Sequence, residues 1–261
     1  MRIQNIRVRS ILNSSYIADY TINPYVGCSH ACVYCYADYY TRRIYGVREP
    51  WGDYVYIKEN ALELLKNEIK YKDPGNIYFS SLTDAYQPIE NTRKLTRKLM
   101  EFLAEYDWPI IIQTKSALVT RDIDILSRFS DITVGFTIIT PRESIRAMLE
   151  PRASPVKARI ESLRRIKDAG MKTFVFIGPI MPGTEIVDIK ELIENTIEFS
   201  DIYYFDKLNV KPYTWQSMEK KLPRFVVDNY KAFMASNYYL WLKERLKDLA
   251  KDLGIKYEIL F

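Results

Sequence analysis

Two hydrophobic patterns alternate along this chain. Short, nearly continuous apolar runs occupy residues 76–80, 109–113, 132–139, 173–177, 202–210 and 255–260, and they read as buried strands. Between them, over 61–71, 95–106, 121–129, 155–169 and 187–199, apolar residues return every three or four positions, the helical repeat. Gly170 stops the fourth of these helices. A further helix is expected over 33–45, and one long helix or two over 226–253. Strands with no polar face, separated by helices, predict a parallel sheet covered by helices. Right-handed crossovers make such a sheet either a barrel or an open doubly wound sheet.

Composition changes this picture little. The 261 residues carry 38 Lys plus Arg against 33 Asp plus Glu, a net charge of +5 spread along the whole chain. A mixed-charge solvated surface explains that balance, and an anionic partner such as nucleic acid is compatible with it. No apolar run of about 18 residues exists, so no membrane-spanning helix is expected. The first residues are charged and lack a signal-peptide core.

The chemistry concentrates in residues 23–37, where Cys28, Cys32 and Cys35 stand in a Cys-x3-Cys-x2-Cys spacing and are the only cysteines. An odd number so closely placed is no disulfide framework, and a reducing cytoplasm is the expected compartment. Thiolates suit zinc or iron–sulfur clusters. Zinc needs a fourth ligand, which His30, the only histidine, could supply from the same loop. Such compression also suits a cubane, whose irons are separate corners that one loop can reach. Three cysteines then hold three irons and leave the fourth for a non-protein ligand.

With Tyr34 before the last cysteine, this spacing resembles the radical S-adenosylmethionine superfamily. The longer string Asn-Pro-Tyr-x-Gly-Cys-x-His-x-Cys-x-Tyr-Cys-Tyr-Ala is similar to its spore photoproduct lyase-like (DNA repair photolyase-like) branch, over about 20–210. The resemblance implies an α/β fold, a partial (β/α)6 TIM-like barrel. One domain over 1–261 is expected, its core at about 20–210 and a C-terminal helical extension over about 211–261. It also implies a 4Fe-4S cluster on Cys28, Cys32 and Cys35, with S-adenosylmethionine chelated to the fourth iron. An electron from a donor such as ferredoxin or flavodoxin splits the sulfonium, and the 5′-deoxyadenosyl radical abstracts a hydrogen from a substrate.

Further positions take roles from the same resemblance. Tyr34 lies near the adenine and Tyr36 is a hydrogen-atom relay candidate. Thr83 and Asp84, following the strand at 76–80, contact the methionine end; Lys115 pairs with the cofactor carboxylate, and Thr137 offers a hydroxyl nearby. Arg159, with Glu150, reaches ribose or carboxylate, and Asn209 hydrogen-bonds the nucleoside. His30 is a loop-capping candidate.

One departure narrows the function. Photoproduct lyases carry a hydrogen-returning cysteine two residues before the cofactor-contacting hydroxyl, and here that position is Ser81. An alcohol O–H bond is much stronger than a thiol S–H, so thymine-dimer repair is not expected. No cysteines remain for an auxiliary cluster. Two rival readings are a nucleic-acid-binding module with a Cys3His zinc site and a basic tail at 220–225, and an iron–sulfur protein of electron transfer alone.

Overall fold

The computed structural model describes residues 1–261. Its strands are β1 (Arg2–Ile6), β2 (Asn13–Ser14), β3 (Tyr20–Ile22), β4 (Tyr25–Val26), β5 (Tyr54–Lys58), β6 (Ile77–Phe79), β7 (Ile110–Thr114), β8 (Ile132–Thr137), β9 (Lys172–Ile180), β10 (Ile202–Lys207) and β11 (Tyr257–Ile259). An eight-stranded sheet runs β11-β10-β9-β8-β7-β6-β3-β2, and a small sheet runs β1-β5-β4. In the large sheet every neighbour pair from β3 to β11 is parallel and only β2 runs against its neighbour, and in the small sheet β4 runs against β5. Six parallel strands in chain order, β3 and β6 to β10, form the expected partial barrel. The sheet stays open, with β2 and β11 as its edges.

Alternation along the strands separates core from cavity. Ile77, Phe79, Ile110, Ile112, Val134, Phe136, Val175, Tyr203 and Phe205 point to the helices and make the main core. Their sequence neighbours Tyr78, Gln113, Thr137, Phe176 and Asp206 point the other way, into the curve of the sheet, and line one cavity. Helix Leu95–Leu103 buries Leu95, Leu99, Met100 and Leu103 on one stripe. Helix Val156–Asp168 does the same with Val156, Leu163 and Ile166, and places Arg159 on that buried stripe.

Several boundaries differ from the sequence reading. The first helix after the cysteines starts at Ala37, because residues 33–36 still belong to the loop that presents the thiols. The helix expected over 121–129 shrinks to a 3-10 turn, Ala117–Asp122, and the short helix Ile123–Leu126. β10 ends at Lys207, so Asn209 lies beyond the strand. The barrel's first strand is the three-residue β3, too short to read from pattern, whereas 255–260 supplies a seventh parallel strand, β11. The tail forms helices Thr214–Lys221, Arg224–Ala235 and Tyr238–Asp252, broken at Pro223 and again at Ser236 and Asn237. Met218 and Val227 from the first two of these, with Leu222 between them, pack in one cluster with Cys32, Val33 and Tyr34. No helix is long and apolar enough to cross a membrane.

Candidate active site

A cavity of about 440 Å³ opens at the C-terminal ends of the parallel strands, and Cys28, Cys32 and Cys35 all face it. Their loop runs from β4 to helix Ala37–Tyr45 and is held from three sides. The Gly27 carbonyl accepts from the Thr83 hydroxyl (2.6 Å) and Gln87 Nε2 (3.1 Å), while Gln87 Oε1 accepts from the Ser29 N–H (2.8 Å). Val33 N–H donates to the Leu149 carbonyl (2.9 Å) and Arg152 N–H to that of His30 (3.2 Å). Gly27 has φ +82°, and a Cβ there would meet the Tyr54 ring and carbonyl at 2.5–2.6 Å. Only glycine can sit at that turn into Cys28.

The residues fit a thiolate-bound group. Burial pushes the Cys32 thiol up to about 12 and the Cys35 thiol up to about 11, with Lys115 pulling both back down. Burial also raises Cys28 well above the usual thiol range. Thiolates in this setting need positive partners, as bound metal provides. Ser29 Oγ, Trp51 Nε1 and Ser80 Oγ are buried without a hydrogen-bond partner, all around this loop. Folded proteins rarely leave such atoms unpaired, so their concentration here marks a place for a group with acceptors of its own. His30 Nδ1 faces Asp84 Oδ2 at 3.4 Å. Three thiols facing one cavity suit the separate corners of a 4Fe-4S cubane.

Of the sequence-predicted residues, Tyr34, Tyr36, Thr83, Asp84, Lys115, Thr137 and Asn209 line the cavity with the cysteines. Lys115 is half-buried, has no carboxylate within ion-pairing distance, and lies 6.0 Å from the centre of the Tyr34 ring. Burial lowers its pKa, yet Cys32, Glu150 and Cys35 outweigh that and raise it. A permanent cation therefore faces the cavity. Thr137 Oγ1 accepts from Gln113 Nε2 (2.9 Å), which leaves its own proton to donate. The Tyr36 hydroxyl donates to the Ser81 carbonyl (2.5 Å), and Ser81 Oγ accepts from Asn23 Nδ2 (3.1 Å). Asn209 sits exposed on the rim.

Two residues are engaged within the protein in ways their sequence positions did not reveal. Asp84 Oδ1 accepts from Tyr86 N–H (2.9 Å) and Thr114 Oγ1 (2.8 Å), and Oδ2 from Lys115 N–H (2.8 Å) with His30 alongside. Asp84 thus acts as a strut between the segment after β6 and the end of β7, while it also lines the cavity. Arg159 does not reach the cavity. It is fully buried, paired with Glu150 at 2.6 Å, and donates to the carbonyls of Ser154 and Thr137, both at 2.8 Å. Glu150 in turn accepts from the Tyr34 hydroxyl, so the pair braces the cysteine loop from beneath. Sequence reasoning missed Gln87, Gln113, Trp51 and Asp206, whose types and spacing carry no motif.

Asp84 yields a pH prediction. Burial acts to raise its carboxyl, but His30 beside it and the N–H and O–H donors hold it down at about 2. A depressed pKa stabilises the fold above the ordinary value of 3.8, and that stability disappears as pH falls towards 2. The contribution is about 2 kcal/mol. Asp84→Asn should lower the urea midpoint at neutral pH and flatten the acid limb below about pH 4, an outcome read from urea titrations across that range.

The pattern of the Radical SAM superfamily matches residues 22–195. An uncharacterized protein of Methanocaldococcus jannaschii is 39% identical over 215 residues, which cover 81% of this chain and 79% of that protein. A spore photoproduct lyase of Clostridium acetobutylicum is 26% identical over 172 residues, 62% of this chain and 47% of the lyase. The solved structure of a spore photoproduct lyase complexed with dinucleoside spore photoproduct superposes with a TM-score of 0.67 at 21% identity, covering 85% of this chain and 66% of that one. At that identity the likeness is one of fold. The chain thus spans about two thirds of the solved lyase and under half of the Clostridium protein.

Proposed function

This chain belongs to the radical SAM superfamily, and on that premise we propose that it holds a 4Fe-4S cluster on Cys28, Cys32 and Cys35 and binds S-adenosylmethionine beside it. Such a pair supplies, when bound, one-electron cleavage of the sulfonium to a 5′-deoxyadenosyl radical that takes hydrogen from a substrate. The observation that carries the reading is the meeting of three thiols and the unpaired Lys115 on one cavity. Lys115 holds the cofactor carboxylate, its missing counter-charge. Thr137 donates to the same end, Tyr34 forms the wall beside the adenine, and Asn209 meets the nucleoside from the rim. Thr83 contributes indirectly, since its hydroxyl fixes the Gly27 carbonyl at the start of the cysteine loop.

Tyr36 lines the cavity next to Cys35, is 39 % exposed, and is the candidate for hydrogen-atom relay. The electron comes from a ferredoxin- or flavodoxin-type donor. A solved lyase of this fold is complexed with a dinucleoside spore photoproduct, and nucleic acid is one substrate class to test here. Repair of that lesion is not proposed, because Ser81 occupies the hydrogen-returning position and its oxygen is bound by Asn23. The chain acts as one domain in a reducing cytoplasm. Packing of Met218, Leu222 and Val227 against the cysteine loop supports including the C-terminal extension in it.

Calorimetric titration of S-adenosylmethionine into anaerobically reconstituted protein tests the assignment. A hydrogen bond to a charged group contributes about 1.5–3 kcal/mol, so Lys115→Met should weaken binding about 10–100-fold. Unchanged affinity removes Lys115 from the site. No binding by the fully loaded wild type overturns the reading itself.

A further inference from the structure

Trp51 takes no part in the function described so far, yet it is the tryptophan that lines the cavity with the three cysteines. It is 4% exposed and belongs to the same packed cluster as Cys28, with Cys35 against it. Its indole nitrogen is buried and has no hydrogen-bond partner. An indole N–H can only donate, and a buried donor seldom goes unpaired, so the protein alone does not contain its acceptor. The other surroundings of the ring, Val26, Ala37, Val47 and Tyr54, offer apolar surface and one hydroxyl that is already bonded to Thr41 at 2.9 Å.

Trp51 is also held firmly where it lies. Gly52, at φ +93°, presses on the middle of the cysteine loop so closely that a Cβ would stand 2.3 Å from that of Ala31. Two cations clamp the segment from outside. Lys221 Nζ donates to the Trp51 carbonyl (3.3 Å), and Arg152 Nη1 to the Gly52 carbonyl (2.6 Å). Arg152 also ties back to the loop through its own N–H and the His30 carbonyl. The indole is thus fixed against the cysteines by a short rigid turn.

Resting on the cluster assignment above, we infer that Trp51 donates its indole N–H to a sulfur of the cluster–thiolate unit and raises its reduction potential. The reduced unit carries the greater negative charge on sulfur, so a donor stabilises it more than the oxidised one. Trp51 is a tuning residue: it makes the cluster easier to reduce and takes no proton or hydrogen atom in the reaction.

The test is an EPR-monitored redox titration of reconstituted wild type and Trp51→Phe, both at full iron and sulfide content and with matching circular dichroism. At any fixed potential the reduced-to-oxidised ratio should fall about tenfold in W51F, a midpoint lower by about 59 mV for one electron. An unchanged or higher midpoint overturns the inference. Should W51F fail to fold or load, wild type labelled with ¹⁵N-indole tryptophan replaces it. Electron–nuclear double resonance of the reduced cluster then shows a ¹⁵N coupling, or its absence overturns the inference. A wild type that takes up no iron and sulfide overturns the underlying functional reading as well, and so separates the two failures.

Discussion

Replacing Cys32 by alanine is expected to leave a folded chain that no longer retains a cluster and forms 5′-deoxyadenosine only at background. Cys32 sits in a packed apolar setting with Val33, Leu149, Met218 and Leu222, where a free cysteine behaves as a small hydrophobe. Removing its sulfur leaves a small void, costing about 1 kcal/mol, so the fold survives. The metal site does not. Loss of a group that merely supports a metal ligand costs about 10–100-fold in affinity, and loss of the ligand itself costs at least the upper end of that range. Iron and sulfide analysis with visible absorption reads the result, and Cys28→Ala and Cys35→Ala should match it. A variant that keeps wild-type iron, sulfide and turnover shows that Cys32 holds no iron.

The second large effect is on stability. Arg159→Met should lower unfolding free energy by about 3–5 kcal/mol, because it strands Glu150 as a buried charge. Both partners are fully buried, so solvent cannot take over for the missing guanidinium. Burial pushes the Glu150 carboxyl up, while Arg159 and then Lys115 bring it below the usual carboxylate range. Without Arg159 that balance reverses and Glu150 tends to protonate. Tyr34, whose hydroxyl Glu150 accepts, then loses its anchor, and the loop between Cys32 and Cys35 loosens. Arg159→Met with Glu150→Gln should recover a good part of the loss, since no isolated charge remains. Urea unfolding of the two single variants and the double measures this coupling. Additive losses would show that the pair is not the brace described here.

Much of the scaffold was legible because its signals are local. Apolar runs such as 109–113 and 132–139 cover a strand in a few consecutive residues, and the cysteine spacing fits in eight positions. Placing Thr83 and Lys115 just after strands, and Thr137 and Asn209 near the ends of theirs, was enough to bring them to one rim, since parallel strands end together. The role of Asp84 was hidden because its partners Thr114 and Lys115 lie some thirty residues away, and only strand register brings them close. Arg159 did carry a warning. It shares the helical stripe of Val156, Leu163 and Ile166, which faces the core, so its charge had to be paired inside the protein. β3 and β4 escaped reading because they are two or three residues long, and β1 because it is largely exposed, while β5, five mostly buried residues, was left unread. Trp51 escaped because an unpaired donor is visible only when every neighbour is known.

The most direct measurement is the product formed when the anaerobically reconstituted chain is mixed with S-adenosylmethionine and dithionite. The account predicts 5′-deoxyadenosine and methionine in equal amounts from the wild type and neither from Cys32→Ala. A wild type carrying a full complement of iron and sulfide that leaves S-adenosylmethionine intact contradicts it.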